Sequence, residues 1–352
     1  MQVALTGLSQ SGKTALFTAL TEGHCHTEPS LAHHSIKAMV KIPDPRLDKL
    51  SEIYKPKKTT PAGIEFLDLP GLSFVDEASR QEARRIVAQA RQADMLVLVL
   101  RGFHEPAVAA YRNRVDPAKD LDELKSELLL ADLEQVENRI EKLEKSVKKP
   151  TKDQEHDKRE LALLERCGKA IENLQPVSEA VQTPEEEKML RSFGFLTLKP
   201  MRIVLNGDED GLDKPAPLNQ DSLLLSAKLE AELALLGLEE RKAFLEELGL
   251  EEMACARLTR MCLASLNMIT FLTVGEDEVR AWLVPANCPA VEAAGAIHSD
   301  IQRGFIRAET INFKDFQAAG DMKSAKAAGK VRLEGKGYPV QDGDIITIRF
   351  NV

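Results

Sequence analysis

Residues Gly7-Leu8-Ser9-Gln10-Ser11-Gly12-Lys13-Thr14 fit the pattern G-x-x-x-x-G-K-[ST] and follow directly on the apolar run Gln2-Val3-Ala4-Leu5-Thr6. That run reads as a buried strand, and Ala15-Leu16-Phe17-Thr18-Ala19-Leu20 reads as the helix after it. A strand–loop–helix setting is what the motif requires of a phosphate-binding loop. Gly7 and Gly12 let the backbone N–H groups of Leu8, Ser9, Gln10 and Ser11 close on phosphate oxygens. Lys13 supplies a point charge to the β- and γ-phosphates, and the Thr14 hydroxyl suits Mg²⁺.

A loop of this kind needs a second element that senses the γ-phosphate and the metal. Asp68-Leu69-Pro70-Gly71 supplies it at the end of the strand Ile64-Glu65-Phe66-Leu67. Asp68 is expected to hold Mg²⁺ through water, and the Gly71 N–H to meet the γ-phosphate. Lys13, Asp68 and Gly71 are therefore the catalytic candidates, and Thr14 and Asp68 the metal ligands. A third strand, Asp94 to Leu100, is a nearly unbroken apolar run of the kind found in parallel sheets covered on both faces. Two more, Met201–Leu205 and Leu223–Leu225, end in Asn206-Gly207-Asp208-Glu209 and Ser226-Ala227-Lys228. A doubly wound α/β sheet binds its ligand at the carboxyl ends of its strands, so Asn206, Glu209, Ser226 and Ala227 are candidates for holding the base.

From about residue 118 the pattern changes. Leu129, Leu133, Val136, Ile140, Leu143 and Val147 recur at four–three spacing, and Leu161, Leu164, Cys167, Ile171 and Leu174 repeat it, which predicts two antiparallel coiled-coil arms. Pro150 falls in the turn between them. Lys142, Lys145, Lys148, Lys149 and Lys152 make that tip basic: a solvated face, or a probe for rRNA phosphates or an acidic partner. The C-terminal part shows short strands, a turn at Gly335–Pro339, a closing strand Ile345–Phe350 and a basic group of Lys323, Lys326, Lys330, Arg332 and Lys336.

The 352 residues allow two to three domains of ordinary size. A net charge of -9 opposes nonspecific nucleic-acid binding by the chain as a whole. No apolar run reaches the ~20 residues that cross a bilayer, so a soluble, cytoplasmic protein without membrane contact is expected. Five cysteines without C-x-x-C spacing argue against a disulfide framework or a zinc site. The irregular spacing of His24, His26, His33 and His34 favours a loop over a metal centre.

The P-loop, Pro43-Asp44-Pro45-Arg46-Leu47-Asp48, Asp68–Leu72, Val115–Leu133, Asn206–Gly211, Ala294–Asp300, Gly304–Glu309 and Asp342-Gly343-Asp344 through Val352 together resemble the Obg-like ATPases of the YchF type, over nearly the whole chain. The resemblance implies a P-loop G domain (1–117 and 196–270) interrupted by a helical coiled-coil insertion (118–195) and followed by a β-grasp-like TGS domain (271–352). It implies purine triphosphate binding with Mg²⁺, ATP often preferred over GTP, slow hydrolysis, and contact with the ribosome or rRNA through the hairpin tip and the TGS domain. A monomer is expected.

The chain also departs from its relatives. Gly207 and Glu209 stand where N-K-x-D of ordinary GTPases has Lys and Asp. The longer carboxylate arm misplaces a bidentate pair to guanine whose charged bonds are worth on the order of 1–3 kcal/mol each. Leu72 stands where many GTPases carry the water-orienting glutamine. The glycine-rich switch of relatives becomes Phe74–Arg84, without glycine, which favours helix. The threonine of switch I shifts to Thr27, and Ala110 replaces a histidine, with His104 nearby. A slowly hydrolysing ATP- or GTP-dependent switch and a GTP-binding or non-hydrolysing nucleotide-binding adaptor both fit.

Overall fold

The structure is a computed structural model. It describes residues 1–23, 35–148, 153–210, 212, 218 and 222–351. Thr27, Cys25, the four histidines at 24, 26, 33 and 34, Lys149, Pro150, Lys152 and Gly211 lie outside the described residues. The chain forms two compact units, Met1–Ala38 with Glu65–Cys255, and Met39–Ile64 with Ala256–Val352.

In the first unit, the strands β1 (Gln2–Thr6), β2 (Ile36–Lys41), β4 (Gly63–Asp68), β5 (Met95–Arg101), β6 (Met201–Asn206) and β7 (Ser222–Leu225) build a sheet of order β2-β4-β1-β5-β6-β7, β2 and β4 each crossing a unit boundary. β1 pairs in parallel with β4 and β5, β5 with β6, and β6 with β7. All seven residues of β5 are buried, as its apolar run requires of a strand covered on both faces. The register puts Asp68 opposite Leu5, Asn206 opposite Arg101, and Leu225 opposite Asn206. The P-loop, the Asp68–Gly71 turn and the loops after Asn206 and Leu225 therefore leave the same carboxyl edge of the sheet.

Helix α1 (Lys13–Leu20) follows the P-loop, and α3 (Glu77–Ala90) occupies the glycine-free stretch predicted as helix. Asp76 caps α3, its carboxylate accepting from the Ser79 amide at 2.8 Å. Ala83, Ile86, Val87 and Ala90 turn one face of α3 into the core with Leu72 and Phe74. The hairpin arms are α4 (Pro117–Val147) and α5 (Gln154–Glu172). Val136, Leu143, Leu164, Cys167 and Ile171 pack in their seam, with Leu129, Leu133, Ile140 and Leu161 at its margin. Leu174 departs from the predicted repeat: α5 ends at Glu172, and Leu174 takes a left-handed φ of 58° and is 77% exposed. Short helices α6 (Val177–Ala180) and α7 (Pro184–Leu190) lead back to β6. At that return Asp132, on α4, accepts from Arg91 Nη1 (2.7 Å), Leu196 N, Thr197 N and Thr197 Oγ1 while fully buried. Helices α8 (Ala227–Ala234) and α9 (Leu238–Glu247) follow β7, and α10 (Ala254–Ser265) runs into the second unit.

The second unit holds α2 (Pro45–Tyr54), β3 (Lys58–Thr60), β8 (Met268–Thr273), β9 (Glu278–Pro285), β10 (Phe305–Asn312), β11 (Arg332–Glu334) and β12 (Asp344–Phe350), in a sheet of order β11-β10-β12-β8-β9-β3. Its helices are α11 (Ala290–Ile297), α12 (Ser299–Arg303), α13 (Phe313–Ala319) and α14 (Met322–Ala327), and α11 packs Ala290, Ala293 and Ala294 against Phe271, Val284 and Ile346. Residues 39–64, early in the chain, belong to this unit, and a clasp fixes them there: Arg46 donates to Asp44 at 2.9 Å through Nε and to Asp342 at 2.6 Å through Nη1. The architecture is the expected α/β class, a P-loop doubly wound domain carrying a helical hairpin, followed by a β-grasp-like unit.

Candidate nucleotide-binding site

Gly12 ends the P-loop at φ 87°, a left-handed conformation, and a Cβ there would lie 2.1 Å from Asn206 Nδ2. Gln10 is left-handed too, at φ 63°. Alternation of this kind turns successive N–H groups to one side and forms an anion-binding concavity. Lys13 is buried, and its ammonium donates to Gly7 O (3.1 Å), Leu8 O (2.9 Å) and Ser11 Oγ (3.3 Å). It thus rests on the carbonyls of the loop itself.

Burial lowers the Lys13 pKa to about 8, against the opposing attraction of Asp68. Bound phosphates favour the charged ammonium, so binding should take up a proton near and above pH 8. Triphosphate affinity is accordingly expected to fall as pH rises through 8. Calorimetry in two buffers of different ionisation enthalpy measures that uptake directly, and a pH-independent affinity between 7 and 9 would count against it.

Thr14 Oγ1 donates to Asp68 Oδ2 at 2.8 Å. The other oxygen, Asp68 Oδ1, is buried with no hydrogen-bond partner, and burial raises the pKa of this carboxyl although Thr14 and Lys13 work to lower it. A solvent-excluded carboxylate oxygen without a donor, beside a hydroxyl and an ammonium, suits a hard cation and its waters. The site therefore fits Mg²⁺ held by Thr14 and Asp68.

Gly71 runs against the P-loop so closely that a Cβ on it would lie 2.7 Å from Ser9 Cα. Just beyond, Leu72 N donates to Gly7 O (3.0 Å), and Leu72 O accepts from Ser9 N (2.8 Å) and Ser9 Oγ (3.2 Å). The Leu72 side chain is buried in the core, so it offers nothing to orient water.

Asn206 braces the opposite side: Nδ2 donates to Ser11 O (3.1 Å), and Oδ1 accepts from Ala227 N (2.9 Å). Ser226 caps α8 through its hydroxyl. Glu209 is half-exposed and lies 3.8 Å from Lys228 Nζ. His104 belongs to this side also, its amide 3.2 Å from Asp208 Oδ1. Sequence reasoning missed Arg101, buried at the end of β5, which donates to Val108 O (2.9 Å) and Gln10 O (3.5 Å) and stacks on Phe103. Its position at the carboxyl end of an apolar strand was the available signal. The P-loop, Asp68–Gly71 and Asn206 with Ala227 thus converge, while Glu209 stands at the margin.

A largely parallel sheet, a P-loop at its first turn and an acid–threonine pair beside the loop lysine define a P-loop nucleotide-binding protein of the G-domain class. Residues 2–165 match the family described as 50S ribosome-binding GTPase. Residues 268–351 match the C-terminal family of YchF-type GTPases, described as a protein of unknown function (DUF933). The chain is similar to the ribosome-binding ATPase YchF of Bacillus subtilis (strain 168), 38% identical over 375 residues with all of both chains covered. It is similar to the protein of that name from Escherichia coli O157:H7, 38% identical over 368 residues, covering 99% of this chain and 98% of that one. Its fold is similar to the solved structure of the Schizosaccharomyces pombe YchF GTPase, with a TM-score of 0.86 at 27% identity, covering 99% of this chain and 97% of that one. The chain belongs to the YchF family.

Proposed function

We propose that this protein is a Mg²⁺-dependent nucleoside triphosphatase of low intrinsic rate, which takes ATP at least as readily as GTP and works as a nucleotide-dependent partner of the ribosome. The observation that carries the reading is the unpartnered Asp68 Oδ1 beside the Thr14 hydroxyl and the Lys13 ammonium. Thr14 and Asp68 would hold the metal ion, which when bound supplies positive charge to the phosphate oxygens. Lys13 leaves its loop carbonyls for the β- and γ-phosphates, and the Gly71 amide meets the γ-phosphate. Leu72, directly after Gly71, is buried and accepts no proton from water, and this supports a slow reaction.

The buried Leu72 and the capped helix α3 also support a second reading, a nucleotide-binding adaptor that hydrolyses nothing. On base choice, Glu209→Asp should shift preference toward GTP, since a shorter arm restores the geometry of a bidentate pair to guanine. Competition titrations with ATP and GTP measure this, and a parent that strongly prefers GTP would count against the role given to Glu209.

Ribosome association is supported by the relatives named as ribosome-binding ATPases. Part of the basic surface is internally paired. Lys145 meets Glu141 at 2.6 Å, Lys326 meets Glu309 at 3.0 Å, and Lys330 meets Asp315 at 3.1 Å. Binding should therefore rest on the hairpin and the C-terminal unit together. Charge reversal at Lys145, Lys148, Lys149 and Lys152 should weaken co-sedimentation with ribosomal subunits, most clearly at low salt, at unchanged nucleotide affinity. Co-sedimentation equal to that of the parent would place the partner surface elsewhere.

A further inference from the structure

The backbone after Gly71 is gripped from two sides. On the P-loop side, Ser9 N and Ser9 Oγ hold Leu72 O. On the other, the Phe74 amide donates to the Tyr111 hydroxyl at 3.2 Å, and that hydroxyl donates to Glu123 Oε1 at 3.0 Å. Glu123 lies in the second turn of α4, the first arm of the hairpin. Phe74 and Tyr111 are both buried and share one core cluster with Leu72, Leu124 and Leu128. A chain of hydrogen bonds thus runs from the P-loop through the phosphate-sensing segment to the root of the hairpin.

The turn that presents Tyr111 is strained. Arg112 and Asn113 take left-handed φ values of 50° and 52° in succession, a conformation that costs most residues free energy and persists only where the surroundings fix it. Glu123 does the fixing, accepting from Arg112 Nη2 (2.8 Å) and Nε (3.3 Å) while also receiving the Tyr111 hydroxyl. Farther along α4, Glu127 meets Arg80 of α3 at 2.8 Å, and Asp132 meets Arg91, the residue that closes α3, at 2.7 Å. The helix that continues the phosphate-sensing segment is therefore clamped to the same arm.

Resting on the nucleotide-binding reading above, we propose that Tyr111 is a positioning residue for nucleotide hydrolysis. It fixes the Gly71–Phe74 backbone through the Phe74 amide and passes the nucleotide state of the P-loop to the hairpin through Glu123. A hairpin displaced at its root by a macromolecular partner would, by the same link, shift the Gly71 amide and change the rate.

The test uses the full chain and its Tyr111→Phe variant. Calorimetry with a non-hydrolysable ATP analogue and Mg²⁺ on the parent comes first. Single-turnover hydrolysis and amide hydrogen exchange, each compared between the two proteins, follow. Tyr111→Phe is expected to lower the single-turnover rate roughly tenfold, because small misplacement of a phosphate-sensing group is costly, with affinity within about twofold of the parent. Exchange at residues 72–76 should rise, and the nucleotide-dependent change in exchange over residues 121–128 should vanish while that of the P-loop remains. A variant with parental rate and parental exchange at 72–76 overturns the proposal, as does a 121–128 segment that still responds to nucleotide. A parent that binds nucleotide without any response in α4 overturns this link alone, whereas a parent that binds none removes the nucleotide reading as well. Should Tyr111→Phe fail to fold, Glu123→Gln carries the same test with the same expected and overturning results.

Discussion

Lys13→Ala should lose detectable triphosphate binding and keep its fold. In the P-loop the ammonium sits on Gly7 O, Leu8 O and Ser11 Oγ, already desolvated, so its charge is available to an anion at little further cost. Two charge-assisted bonds to phosphate oxygens, at about 1.5–3 kcal/mol each, make the expected loss more than about a hundredfold in affinity. Stability should change little, since removing a buried cation relieves its desolvation while three partners lose a donor. Calorimetric titration checks the first statement and a denaturant midpoint the second. Affinity equal to that of the parent would remove the P-loop from the site.

The largest effect on stability should come from Asp132→Ala. The carboxylate is fully buried and satisfies four donors: the Arg91 guanidinium, two backbone amides and the Thr197 hydroxyl. Its removal leaves a mostly buried guanidinium without its counter-charge, a loss of about 3–5 kcal/mol for a broken buried pair. Asp132→Asn must turn an NH₂ group toward one of those donors and should recover only part. Guanidinium midpoints at unchanged m-value measure both variants. A loss under about 1 kcal/mol would mean that the return of the hairpin to β6 is held by apolar packing alone.

The elements that carry strong local signals could be read from the chain before its fold was known. β1 runs over Gln2–Thr6 as the apolar run indicates, and the glycine-free stretch after Phe74 is helix because nothing in it opposes one. Lys13, Thr14, Asp68 and Gly71 come together because the motif spacing encodes a single geometry, the carboxyl edge of adjacent parallel strands. What escaped depends on partners distant in sequence. Asp44-Pro45-Arg46 and Asp342-Gly343-Asp344 are separate motifs in the chain, yet Arg46 and Asp342 bond each other, and no periodicity predicts such a pair. Leu174 continues the apolar repeat but falls past a helix that ends at Glu172, where spacing alone gives no stop. Tyr111 reads as a lone aromatic in a loop. Its importance rests on the Phe74 amide and the Glu123 carboxylate, which only the fold brings to it. Asn206 was legible as a residue of the site, though its observed contacts are to the Ser11 carbonyl and the Ala227 amide.

Single-turnover hydrolysis by the purified full-length protein, with ATP or GTP in the presence and absence of Mg²⁺, tests the central claim most directly. The account predicts slow conversion of bound triphosphate to diphosphate that requires Mg²⁺, proceeds with ATP at least as well as with GTP, and is lost in Lys13→Ala. Tight binding of triphosphate with no diphosphate formed over many hours would contradict it and leave a nucleotide-binding adaptor in its place.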